Sequence, residues 1–323
     1  MTASGGSRAV VAALAANLGI AVTKFVAFAF TGSSSMLAEA VHSVADTGNQ
    51  GLLLLGGRRA RKERDNVHQF GYGSERYFYA FVVSLVLFSV GGVFAVYEGI
   101  TKIAHPHHLD NAIVAVVVLA VAVCLESYSF HTAMTESSKI KGDQSWVSFV
   151  RRTKNPELPV VLLEDTAALF GLTFALAGVA LSVLTHNPRW DGVGTLAIGA
   201  LLVTVAVVLS IETKSLLIGE AAAPEVQQRI SEALMAGPEV ESVIHMRTLH
   251  LAPDELLVAA KIAVAHDDTA ATVARGIDAA ERRVRAAVPI AKIIYLEPDL
   301  QRPTVPPPAS PAGDAGNTPD SDV

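Results

Sequence analysis

His42 and Asp46 stand four residues apart inside 34–57, a stretch otherwise rich in Ala, Leu, Val and Gly. On a helix that spacing stacks both side chains on one face. An imidazole with a carboxylate suits a borderline divalent ion such as zinc. Ionisable groups at bilayer depth are costly and point to function by default. The structural alternative is a hydrogen-bonded pair that fastens two helices. A second apolar run opens Pro159-Val-Val-Leu-Leu-Glu164-Asp165 and continues Thr166-Ala-Ala-Leu-Phe-Gly171. Adjacent carboxylates project about 100° apart on a helix. One is therefore expected to meet the His42/Asp46 face, the other the cytoplasmic mouth or another helix. Helix N-terminal capping is the alternative here, better suited to Glu164 than to Asp165. Asn17, Lys24, Glu39, Asn49, Gln50, Glu126 and His131 complete the polar set within apolar surroundings. Lys24 is expected to pair with a carboxylate or extend to the membrane surface.

The elements that carry these residues follow from composition. The chain has 323 residues, 51% hydrophobic and 17% charged, whereas soluble domains carry about 25% charge. That balance argues against a soluble enzyme and against disorder over most of the chain. A net charge of −6 leaves no basic footprint for nucleic acid. The single cysteine, Cys124, excludes a disulfide framework and multi-cysteine clusters. Six runs, 9–31, 34–57, 77–101, 111–134, 159–185 and 192–214, reach the length of about 20 residues that a helix needs to cross a bilayer. The first, preceded by Arg8, could be a signal peptide, but it contains Lys24 and a second apolar run follows it.

Basic residues orient the runs. Segment 58–76 holds Arg58, Arg59, Arg61, Lys62, Arg64 and Arg76, and segment 139–154 holds Lys139, Lys141, Arg151, Arg152 and Lys154. The opposite loops offer only Lys102, the His105-Pro106-His107-His108 run and Arg189. The positive-inside rule makes both basic loops cytoplasmic, and both termini with them. The lack of a targeting peptide ahead of the first run favours a bacterial inner membrane.

After Gly219 the pattern changes. A helix over 224–236, strands over 240–251 and 256–264, an amphipathic helix over 269–287 with Arg282, Arg283 and Arg285 outward, and a strand over 291–296 are expected. That α-β-β-α-β order suggests a small α+β domain. The chain thus divides into a short segment 1–8, an all-α membrane domain of six helices over 9–218, an α+β domain over 219–299, and a disordered proline-rich tail over 300–323.

Three motifs carry a family resemblance. Gly32-Ser-Ser-Ser-Met-Leu-Ala-Glu-Ala-Val-His42-Ser-Val-Ala-Asp46 resembles the second-span signature of the cation diffusion facilitators. His68-Gln-Phe-Gly-Tyr-Gly-Ser-Glu-Arg76 resembles the start of their third span, and Glu212-Thr-Lys-Ser-Leu-Leu-Ile-Gly-Glu-Ala221 their connector. The Glu-Asp-Thr-Ala-Ala run resembles the branch that includes the ninth human zinc transporter. The resemblance covers about 8–300. It implies a homodimeric antiporter with six spans per subunit and a cytoplasmic ferredoxin-like domain. It also implies that Zn2+ or a similar divalent ion leaves the cytosol in exchange for protons, as substrate and with no prosthetic group.

The resemblance assigns transport ligands to His42, Asp46 and Asp165. Val161 replaces the remaining one, leaving water or Glu164 to complete the site. His42 and Asp165 would exchange protons for metal, since metal ligands must be deprotonated and histidine titrates near neutrality. Asp65 and His68 match loop ligands, with Tyr72 in place of a second histidine. His245 matches a ligand of the soluble domain, where Lys261, Tyr295 and Glu297 replace others and argue against a binuclear site. His250 and His266 are expected at the surface. The His105/His107/His108 loop could capture or release metal. Gly48, Gly56, Gly57, Gly91, Gly92 and Gly99 are expected to permit close helix packing. Two rival readings are a non-transporting membrane metal sensor or scaffold and an intramembrane metal-dependent hydrolase.

Overall fold

The computed structural model describes residues 18–106 and 111–301. Its helices are α1 (Leu18–Thr31), α2 (Ser34–Arg59), α3 (Glu75–Val86), a π-helical stretch Leu87–Val93, α4 (Phe94–Ala104), α5 (Ala112–Lys141), the short α6 (Trp146–Arg152), α7 (Glu157–Thr185) and α8 (Arg189–Ile218). The α3–π–α4 sequence is one continuous rod of 30 residues. Each apolar run thus corresponds to a helix, displaced by a few residues at its ends. The start of the first run, with Arg8 and Asn17, lies outside the described residues. So do His107, His108 and the proline-rich segment from Pro303.

Among the described residues, Glu75–Ala104, Pro159–Thr185 and Arg189–Ile218 are long and apolar enough to cross a membrane. Leu18–Thr31 and Ala112–Tyr128 are shorter apolar helices. The polar residues of α2 lower its hydropathy, and they are the ones of chemical interest. The break between α1 and α2 is local in origin. Gly32 adopts a left-handed φ of 62°, open to glycine without a Cβ penalty. Ser33 then caps α2, its Oγ accepting the Met36 N–H at 3.2 Å. At the other end Arg58 and Arg59 complement the helix dipole.

The helices enclose a core that includes Met36, Leu87, Leu119, Leu172, Ile198, Leu202 and Leu209. Small residues set the α4–α8 distance: a Cβ on Gly99 would stand 2.8 Å from the Leu196 backbone nitrogen. Gly56, Gly91 and Gly92 are similarly crowded by Tyr79, Leu202 and Val203. Gly48 is not, because it lies on an exposed face of α2 and would meet nothing within 4 Å; Gly57 would meet only Glu157, at 3.9 Å.

The chain forms two compact units. The larger runs to Gln227 and includes 248–257 and 290–293; the smaller holds 228–247, 258–289 and the chain from Ile294. After the long helices come α9 (Pro224–Met235), β1 (Ser242–Ala252), β2 (Glu255–Ala263), α10 (Ala270–Ala287) and β3 (Ala291–Asp299). The sheet order is β1-β2-β3. Pro253 and Asp254 turn β1 into β2, and α10 is the crossover to β3. The Leu256 N–H donates to the Ile290 carbonyl and the Val264 N–H to the Asp299 carbonyl. The two strands therefore advance together, in parallel. This is the α+β layout of the ferredoxin-like class. Arg283 corrects the expected outward face of α10: it turns inward, donating to the Ala233 and Leu234 carbonyls at 2.9 and 3.1 Å and closing the end of α9.

Candidate metal site

Two contacts fix how α2 meets α7. Asn49 Nδ2 donates to Glu164 Oε1 at 2.7 Å. One end further along, Glu39 Oε1 lies where a Cβ on Gly171 would stand 2.7 Å away. Rising numbers on α2 thus face falling numbers on α7, so the helices are antiparallel. His42, Asp46, Asp165 and Ala168 fall between the two contacts.

A cavity of about 30 Å3 lies along this seam, room for about one water-sized guest. Ser43, Asp46 and Gln50 line it from α2, Val161, Glu164, Asp165 and Ala168 from α7, Ile20 from α1 and Glu126 from α5. Glu164 and Asp165 therefore both face the cavity, where divergence was expected, because α7 is flanked by α2 on one side and α5 on the other. Capping does not account for Glu164: α7 starts at Glu157, about two turns earlier. Val161 lines the same wall as the carboxylates.

His42 is buried beside the cavity, its Nε2 3.5 Å from Asp46 Oδ2. Neither ring nitrogen has a hydrogen-bond partner among the described residues, nor does Asp46 Oδ1. Buried polar atoms are usually bonded, and these lone pairs are of the kind a divalent cation accepts. The π-helical stretch contributes here: a Cβ on Gly91 would lie 3.9 Å from His42 Nδ1. π-bulges recur at functional sites. Among the described residues no three His, Cys, Asp or Glu side chains form a group ready to hold a metal ion. Binding at this seam would require them to draw closer.

Lys24 pairs with a carboxylate, Glu39 Oε2, at 3.0 Å, and donates to Ser43 Oγ at 2.8 Å. In the loop after α2, Asp65 is engaged by its own neighbours. It accepts from Tyr72 Oη at 2.5 Å, Lys62 Nζ at 3.1 Å and the His68 N–H at 2.8 Å. The Tyr72 hydrogen bond, then those from His68 and Lys62, hold its carboxyl below the ordinary carboxylate range. His68 Nδ1 lies 3.5 Å from Asp65 and its ring packs on Tyr72 at 4.4 Å. Tyr72 Oη and Lys62 Nζ thus share Asp65 Oδ2, and the His68 N–H bonds Oδ1.

His245 is exposed on β1, and His266 is exposed as well. His250 corrects the surface expectation: it is 6% exposed, and burial holds its imidazole below the ordinary histidine value. Lys261 bonds Glu297 at 2.9 Å and Asp299 at 3.1 Å, its ammonium meeting two carboxylates. His105 ends α4. By sequence Glu126 belongs to the polar set within the apolar runs, with nothing to place it at the site. Its signal was a carboxylate in an apolar run with no partner at helical spacing.

Residues 10–218 match the cation efflux transmembrane domain. The mitochondrial proton-coupled zinc antiporter SLC30A9 of Mus musculus is 33% identical over 231 residues, 71% of this chain and 41% of that protein. The cation-efflux pump FieF of Klebsiella pneumoniae is 26% identical over 251 residues, 78% of this chain and 79% of the pump. The chain spans about two-fifths the length of the SLC30A9 relatives it matches. A solved MamM-CTD structure, 24% identical, covers 24% of this chain and 93% of its own, with a TM-score of 0.23.

Proposed function

Because the chain belongs to the cation efflux family, we propose that it exports a divalent metal cation, foremost zinc, from the cytosol in exchange for protons. One observation carries the reading: Asp46 and Asp165 reach a single cavity from two helices, with His42 buried beside Asp46. Asp46, Asp165 and His42 are the primary ligands in this reading, with Glu164 or water completing the set where Val161 stands. Neutral imidazole and ionised carboxylates are required for metal, so loading releases protons and proton uptake releases metal. Alternation between two faces needs two states that bind metal and protons with different affinity. Histidine favours zinc over manganese at such a site. The protein acts as a homodimer in a bacterial inner membrane, with 219–299 and both termini on the cytoplasmic side.

Proteoliposomes test this. A pH gradient should drive zinc uptake by the parent protein, and His42→Ala or Asp46→Ala should reduce it at least tenfold. Undiminished flux in both variants would sink the site assignment, and no gradient-driven flux in the parent would sink the transport reading.

A further inference from the structure

The buried ion pair Lys24–Glu39 is not used by the ligand chemistry above. The two side chains are 1% and 0% exposed and meet at 3.0 Å. Lys24 also donates to Ser43 Oγ at 2.8 Å, and Ser43 lines the cavity that holds Asp46 and Asp165. Glu39 Oε1 has no hydrogen-bond partner among the described residues. It lies against α7 at Gly171, where a methyl group would come within 2.7 Å.

Three helices locate this pair independently. Lys24 lies four residues past Ile20 on α1, Glu39 four before Ser43 on α2, and Gly171 three past Ala168 on α7. Ile20, Ser43 and Ala168 all line the cavity. In each helix the step leads toward the same end of the bundle, where Ser33 and Ser34 bond Asp191 at the start of α8. At 1.5 Å per residue the pair is a layer about 6 Å beyond the cavity. The Lys24 ammonium, bonded to cavity-lining Ser43 and to Glu39, thus stands on the Asp191 side of the cavity.

We propose that Lys24–Glu39 is the lock on the Asp191 side of the metal path. Lys24 lies as a tethered cation on Glu39 and closes the cavity toward that end. When the pair parts, the ammonium withdraws and Glu39 becomes the next carboxylate the departing cation meets. Gly171 leaves room for Glu39 to lie against α7 while it holds Lys24, so a methyl group there would press the carboxylate off the ammonium. The inference rests on the transport reading for its cargo, while its geometry concerns access alone. A buried pair that only fastened helices would leave access unaltered when replaced by neutral side chains of similar size.

The test uses the full chain in proteoliposomes with Cys124→Ser, so that Ala168→Cys reports on the cavity. A membrane-impermeant methanethiosulfonate reagent is added to each face in turn. Lys24→Met/Glu39→Gln removes both charges together and avoids leaving one buried and unpaired. It should speed labelling from the Asp191 face at least tenfold and leave the other face unchanged, while Lys24→Arg should label like the parent. Gly171→Ala, which crowds Glu39, should act in the same direction and carries the test if the double variant does not fold. Parent-like labelling of a monodisperse double variant, or of Gly171→Ala in its place, would overturn the lock. Zinc flux of the parent in the same vesicles judges the transport reading separately: flux with lock-independent labelling rejects the lock alone, and lock-dependent labelling without flux rejects the transport reading.

Discussion

Val161, like Ile20 and Ala168, adds only apolar groups to a cavity whose walls also carry Asp46, Glu126, Glu164 and Asp165. A carboxylate in its place would add a hard oxygen ligand four residues before Asp165, on the same face of α7. Val161→Asp should raise zinc affinity about tenfold, the ordinary scale on which small changes in a ligand set act, and slow release, measured by chelator competition and stopped-flow efflux. Unchanged affinity would place position 161 away from the bound ion. Asn49 tests the surroundings of the site. Its amide holds Glu164 Oε1 at 2.7 Å, and loss of such a supporting hydrogen bond costs roughly 10- to 100-fold in metal affinity. Asn49→Ala should therefore weaken zinc binding if Glu164 is a ligand, and leave it intact if water completes the site. His42 and Asp46 were legible from sequence because one-turn spacing puts them together in any helix. Glu126 was not, because only the packing of α5 on α7 brings it to the cavity.

Helix positions follow the apolar runs closely, since hydropathy and the caps at Gly32 and Ser33 act locally. How the helices are tied together is less local. Asp191, in the first turn of α8, accepts from Ser33 Oγ at 2.8 Å, the Ser34 N–H at 2.8 Å, Ser34 Oγ at 3.0 Å and the Ser35 N–H at 3.3 Å. A buried carboxylate thereby caps α2 from a helix more than 150 residues away in sequence. No spacing rule announces such a partnership. Asp191→Ala leaves several buried donors unsatisfied, each worth about 1–3 kcal/mol, so the apparent melting temperature in detergent should drop clearly. Asp191→Asn, which keeps one acceptor, should fall between. Equal melting temperatures would show that water replaces the carboxylate without loss. The π-helical stretch Leu87–Val93 was likewise hidden: Gly91-Gly92 read as packing glycines, whereas their backbone departs from α geometry beside His42.

Across the whole chain, the low charge fraction leaves few groups to set a pH response, and two outside the long helices, His250 and Asp65, can be separated by the pH range in which they act. Burial holds His250 below its ordinary value of 6.5. The unfolded chain then takes up a proton near that value while the folded chain resists. Stability from His250 is therefore complete above about pH 6.5 and declines as the pH falls below it. Asp65 behaves differently. Its carboxyl, held down chiefly by Tyr72, sits below the ordinary 3.8. Its contribution is complete above that value and is lost only in stronger acid. Between pH 7.5 and 5.5, His250 should thus move the unfolding temperature and Asp65 should not. The parent should melt lower at pH 5.5 than at 7.5, His250→Gln should narrow that gap, and Asp65→Asn should leave it unchanged. Thermal unfolding of all three in the same detergent at both pH values decides the matter. The remaining titratable groups are common to all three proteins and cancel in the comparison. An equal gap in His250→Gln and parent would assign the acid sensitivity to groups other than His250, and a narrowed gap in Asp65→Asn would show that the α2–α3 loop responds to pH in the range where the proposed exchange operates.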